Sequence, residues 1–111
     1  MASTPTLKSS GTQTATLDTD HYLLSTSDNG IYVLIVNCTN MAAGDIVEFK
    51  IWLSSTSGGI TKVAYYTTHG LPGANDIIKI SVPVPAYHGA NFTLNQTDGT
   101  GRQFQWEIIA L

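Results

Sequence analysis

Val47-Glu48-Phe49-Lys50-Ile51-Trp52-Leu53 decides the fold class, because apolar and polar residues alternate along it with a period of two. That period belongs to an extended strand, in which successive side chains point to opposite faces. Val47, Phe49, Ile51 and Leu53 form one face and are expected in a core; Glu48, Lys50 and Trp52 form the other. Trp52 is the exception, a large ring on a charged face.

Toward the N-terminus, the run from Ile31 to Val36 is apolar at every position. It predicts the most buried strand, central in its sheet and covered on both faces. Ser27-Asp28-Asn29-Gly30 before it has the residues of a tight hairpin turn, since Asn29 and Gly30 tolerate positive φ. A short strand is expected from Tyr22 to Thr26 and an edge strand from Thr12 to Leu17. Residues 1–11 contain Pro5 and few apolar side chains, and read as an extended arm, either one that orders on a partner or a mobile tail.

Toward the C-terminus, Ser54 to Gly59 reads as a flexible connection and Lys62 to Thr68 as a strand. His69 to Asn75 reads as a loop containing Gly70, Pro72 and Gly73. In the next strand Ile78, Ile80 and Val82 are expected inward, with Lys79 and Ser81 outside. Pro83 and Pro85 end it, because proline cannot donate to a ladder. Ala90, Phe92 and Leu94 are expected inward on a further strand. Asp98-Gly99-Thr100-Gly101 reads as a last hairpin turn, followed by Phe104, Trp106 and Ile108 as an inward row.

The sum is an all-β chain: a single-domain antiparallel β-sandwich of about eight strands, jelly-roll-like, spanning 12–111 behind the arm at 1–11. No window sustains a helical period. With 111 residues the chain makes one core. Charged residues are 12% of the composition and the net charge is −3, so no basic surface is expected for nucleic acid. No segment has the length of a membrane span, and no membrane partner is expected. Residues 1–11 lack the apolar stretch of a signal peptide, which predicts folding in a cytoplasm. The single Cys38 excludes an internal disulfide and is expected to be a buried, inert thiol.

His21, His69 and His88 lack the short spacings of a metal site. No Gly-x-Ser-x-Gly elbow occurs. Asp18, Asp20 and Asp28 flank turns without the spacing of a calcium loop. Glu48 and Glu107 would pair only if the sheets brought them together, and the alternation places each on an outer face. No catalytic residue, metal or cofactor is expected. Binding needs less: Trp52 with Tyr65 or Tyr66 supplies aromatic anchors for a protein partner, and open strand edges offer pairing with a second copy.

Asn40-Met41-Ala42-Ala43-Gly44-Asp45, Ile80-Ser81-Val82-Pro83-Val84-Pro85 and the ending from Phe92 to Glu107 resemble small proteins encoded among tailed-phage structural genes. Length and all-β character are similar to the staple-like cement proteins of epsilon15-type podophages. The resemblance implies a capsid decoration protein, assembled in the bacterial cytoplasm onto the outside of an expanded shell. Its partners would be the major capsid protein and copies of itself, a dimer more than a trimer. On that reading the contact residues are Trp52, Tyr65 and Tyr66, with the arm residues Thr4, Pro5, Thr6, Leu7 and Lys8 embracing a neighbour. Two other classes stay open: a tail, neck or fibre-associated module, and a carbohydrate-binding sandwich using Trp52 and tyrosines as a stacking platform.

Overall fold

The structure is a computed structural model that describes residues 5–54, 61–70 and 78–111. Its strands are β1 (Thr6–Thr14), β2 (His21–Thr26), β3 (Gly30–Asn37), β4 (Ile46–Ser54), β5 (Thr61–Gly70), β6 (Ile78–Ile80), β7 (Val84–Ala86), β8 (Ala90–Asp98) and β9 (Gln103–Ala110). Sheet A has the order β1-β9-β3-β6, with β7 also on β3; sheet B has the order β2-β8-β4-β5. All pairs are antiparallel. Since β6 and β7 both pair β3, they act as one interrupted strand, and the whole is an eight-strand jelly roll. Among the described residues no helix is long and apolar enough to cross a membrane.

The alternation read from the sequence fills the space between the sheets. Val47, Phe49 and Ile51 of β4, Phe92 and Leu94 of β8, and Phe104 and Ile108 of β9 are each at most 2% exposed. Tyr32 of β3 meets Phe92 edge to face at 6.0 Å between ring centres, an arrangement that places a ring edge on a π-face. Leu53 is only half-buried, at the end of its strand.

Four expectations are corrected. First, β3 is central, but only Tyr32, Leu34 and Val36 are buried; Ile31 is 45% exposed, so the strand is covered on one face. Second, β1 begins at Thr6 and not at Thr12: Thr6 to Thr14 pair with β9 along their length, so within 1–11 the arm reading fails from Thr6 onward.

Third, the segments at 27–30 and 98–101 are not hairpin turns. Each carries the chain from sheet B to sheet A, because a sandwich closes by exchanging sheets. Asn29 and Gly30 are accordingly absent from the positive-φ residues, whereas Gly99 is at φ +90°. Fourth, β6 is inverted. Ile78, Ile80 and Val82 are 51%, 61% and 54% exposed, while Ser81 is buried. Ser81 turns inward because its backbone N–H donates to the Leu34 carbonyl, and its Oγ accepts from the Leu34 N–H and donates to the Val82 carbonyl. Lys79 lines a narrow gap beside Leu34, Val36 and Phe49, where its aliphatic stem covers the core rim.

Phe92→Ala should cost about 3–5 kcal/mol by removing both ring volume and the Tyr32 contact. Urea unfolding followed by tryptophan fluorescence measures it; a loss under about 1 kcal/mol would contradict this packing.

Candidate functional site

Two of the most deeply buried polar side chains lie at one corner. Asp45 and Gln96 are 1% and 0% exposed. One oxygen of Asp45 accepts from the Ala42 N–H at 2.8 Å and from Arg102 Nε at 2.7 Å; the other accepts from the Thr100 N–H at 3.2 Å. Gln96 donates to the carbonyls of Asp98 and Thr100 and accepts from the Arg102 N–H. A Cβ on Gly99 would stand 1.8 Å from Asp45 Oδ1, so glycine is required where the link crosses. Burial opposes the Asp45 charge, but the bonds from Ala42, Arg102 and Thr100 outweigh it and hold the carboxyl below its ordinary value. The Asp45 carboxylate and the Gln96 amide thus spend their bonds inside the protein. This corner is a latch joining β8, β9 and the loop before β4.

The other candidates are scattered. Glu48 and Glu107 stand on outer faces of different sheets, which separates them by the whole sandwich. His21 accepts from the Thr16 N–H, His69 is buried on β5, and His88 stacks edge to face on Tyr87. Among the described residues no group of three or more His, Cys, Asp or Glu could hold a metal ion. Burial pushes the Cys38 thiol up to about 11, only slightly offset by Lys79, so it stays protonated at neutral pH.

Two outer faces remain, and they differ in kind. On sheet B, Tyr22, Thr93, Lys50 and Tyr66 align across β2, β8, β4 and β5. Trp52 Nε1 donates to Thr93 Oγ1 at 3.0 Å, and Lys50 Nζ lies 5.7 Å from the indole centre. Lys50 also stands 3.7 Å from Asp20 and 4.0 Å from Glu48, and Tyr66 donates to Glu48 at 2.7 Å. Trp52 is therefore half-buried by its own strand neighbours, while Tyr22 and Tyr66 are 60% and 52% exposed. Tyr65 points the opposite way and packs on the core, so it does not share a face with Trp52 and Tyr66.

On sheet A the outer face is aliphatic. Leu7, Ile109 and Val33 align across β1, β9 and β3; Ile35 lies between Glu107 and Ile80; Ile31 is opposite Pro85, and Ile78 opposite Asn37. Leu111 donates its N–H to Ile31 at the same end. Of the expected arm contacts, Leu7 belongs to this face, Thr6 pairs with Ala110, and Lys8 sits at a bulge in ion contact with Asp28. Pro5 is exposed ahead of β1, and Thr4 lies outside the described residues.

Sequence reasoning missed this face because β6 was assigned the wrong side. Pro83 and Pro85 were the available signal: they mark an edge segment, where a strand has no need to turn its apolar side inward. It also missed Tyr22 and Tyr87, both exposed.

Comparison with known proteins gives no matching family model, curated protein or solved structure. Assignment of function therefore rests on these faces.

A carboxyl held below its unfolded value contributes stability above about pH 4, lost as pH falls through the lowered folded value. Asp45→Asn should be about 1–3 kcal/mol less stable at neutral pH, through poorer pairing of buried donors. It should also lose part of the wild-type acid dependence. Thermal melts between acid and neutral pH test this; parallel pH profiles for the two proteins would disprove the latch.

Proposed function

We propose that this chain is a virion structural protein that decorates the outside of a tailed-phage capsid and clamps neighbouring major coat subunits of the expanded shell. The observation that carries the reading is the aliphatic outer face of sheet A. Leu7, Ile31, Ile78, Ile80, Val82 and Leu111 are each at least 45% exposed there or at its margin. Large aliphatic side chains exposed in this number on one face are normally reserved for another protein. At the polar corner, by contrast, the Asp45 carboxylate and the Gln96 amide are bonded from within.

A thin plate, 40 × 33 × 19 Å, suits attachment to a surface more than enclosure of a ligand. Modest contacts repeated over many symmetric copies add up through effective concentration, and that is the demand a pressurised shell makes. The charged and aromatic face of sheet B, with Trp52, Tyr22 and Tyr66, supplies a second surface on the opposite side. A two-faced plate can bridge where a one-faced one can only adhere.

A second reading has one observation in its favour. A hollow of about 370 Å³ beside Trp52 is lined by Ser25, Ser27, His88 and Asn91, a mixture of ring and hydrogen-bonding groups suited to a saccharide. Glycan-array binding without any particle association would select it.

Quantitative mass spectrometry of gradient-purified particles of the phage that encodes the chain should find it at an abundance comparable to the coat protein. A few copies per particle would move it to the tail or neck, and absence would end the virion reading. Trp52→Ala should keep the β fold and weaken cosedimentation with undecorated shells; unchanged binding would remove Trp52 from the contact.

A further inference from the structure

We propose that the polar end of the outer face of sheet A is a socket for an arginine side chain of the coat subunit, with Glu107 as its anion. The coat as the source of that arginine rests on the decoration reading.

Three rows of side chains cross the face. Leu7, Ile109 and Val33 form the first; Ser10, Glu107, Ile35 and Ile80 the second; Thr12, Gln105, Asn37 and Ile78 the third. Within these rows Glu107 is the one ionisable side chain. It stands on β9, between β1 and β3, so it lies inside the face and not at its rim. Polarity rises from an aliphatic row to a row of amides and a hydroxyl, and the carboxylate sits at the transition. There the surface dips into a hollow of about 400 Å³. Glu107, Ser10, Thr12, Asn37 and Gln105 form its polar walls, and Ile35 and Ile78 its apolar ones.

A coat subunit that covers the aliphatic row also strips water from the carboxylate beside it. A desolvated ion without a partner opposes docking, so the contact needs a positive charge. This chain has none to lend. Of its five basic side chains, Lys8 is held by Asp28, Lys50 by Asp20 and Glu48, and Arg102 by Asp45. Lys79 lines the gap beside Leu34 and Phe49, and Lys62 lies on β5 in the other sheet. The charge has to come from the partner.

Arginine suits these surroundings better than lysine. Ser10, Thr12, Asn37 and Gln105 each carry a side-chain oxygen that can accept, and a guanidinium offers five donors in a planar fork. Two of them can go to the carboxylate, which leaves three for the hydroxyls and amides around it. A guanidinium is also weakly hydrated, and Ile35 and Ile78 give its flat faces apolar walls. A lysine ammonium brings three donors at one point and holds its water more strongly.

The test is cosedimentation of the full chain, over a range of concentrations, with undecorated shells of the phage that encodes it. Glu107 is exposed, so Glu107→Gln should keep the wild-type circular dichroism. It should bind at least about tenfold more weakly, with a shallower dependence on salt. Asp18→Asn removes the same charge from the connection between β1 and β2, at a positive φ that asparagine tolerates. It should bind as the wild type does. Shells whose arginines are blocked with phenylglyoxal should bind the wild type about tenfold more weakly and Glu107→Gln little differently. Shells with acetylated lysines should bind both as before. Equal binding by the wild type and Glu107→Gln would overturn the socket and leave the decoration reading standing. Loss of binding on lysine acetylation alone would overturn it as well. A wild-type chain that binds no shells would defeat the decoration reading, and the socket with it.

Discussion

Four aromatic rings from four strands, Tyr32, Phe49, Phe92 and Phe104, are buried between the sheets with no more than 2% exposure, and the rest of the molecule is arranged to bury them. Two come from sheet A and two from sheet B, so the layer exists only when the sheets are stacked. Burying them forces the chain to change sheets repeatedly, and each change of sheet costs a corner in which backbone groups lose their ladder partners. Asp45 and Gln96 fill that need at the corner between β8 and β9, satisfying the backbone of Thr100 and Arg102 from within. A buried carboxylate is tolerable there because three donors converge on it.

With the interior so committed, the outer faces are free to differ. Strand alternation separates the two sides of each sheet, and selection on one side need not disturb the other. Sheet B shows a face whose polar groups are busy with each other: Lys50 lies between Asp20, Glu48 and the Trp52 ring, and Tyr66 is tied to Glu48. Such a network holds its side chains in place, so a partner meets a preorganised surface. Sheet A shows the reverse, aliphatic side chains with few internal obligations. One sandwich thus carries two unlike surfaces back to back, and the jelly roll itself prescribes neither.

What the residues disclosed divides along a physical line. Alternation is local, so the inward sets Val47-Phe49-Ile51, Phe92-Leu94 and Phe104-Trp106-Ile108 were legible, and the core they form is the one observed. Where both sides of a strand are apolar, or the strand is three residues long, alternation says which residues share a side but not which side is covered. Ile31 and Ile35 on β3, and Ile78 and Ile80 on β6, fall in that gap. The turn residues at 27–30 and 98–101 were recognised as places where the chain reverses. Whether a reversal stays in its sheet depends on strands distant in sequence, and local chemistry carries no trace of that. The same limit applies to Tyr65: the register of β5 on β4, which pairs Lys50 with Tyr66 and Ile51 with Tyr65, sets which tyrosine joins Trp52.

The pairing of β1 with β9 has a temporal meaning as well as a spatial one. β9 runs between β1 and β3, so sheet A has no continuous middle until residues 103–110 have been synthesised. Before then β1 and β3 have no shared neighbour, and Tyr32 lacks the completed layer that buries it. Because the joined segments are far apart in sequence, loop closure must precede the reward, which makes for slow and late consolidation. The finished product carries an asymmetry of the same origin: β1 is held to the sheet by β9 alone, whereas β9 keeps its pairing with β3 when β1 frays.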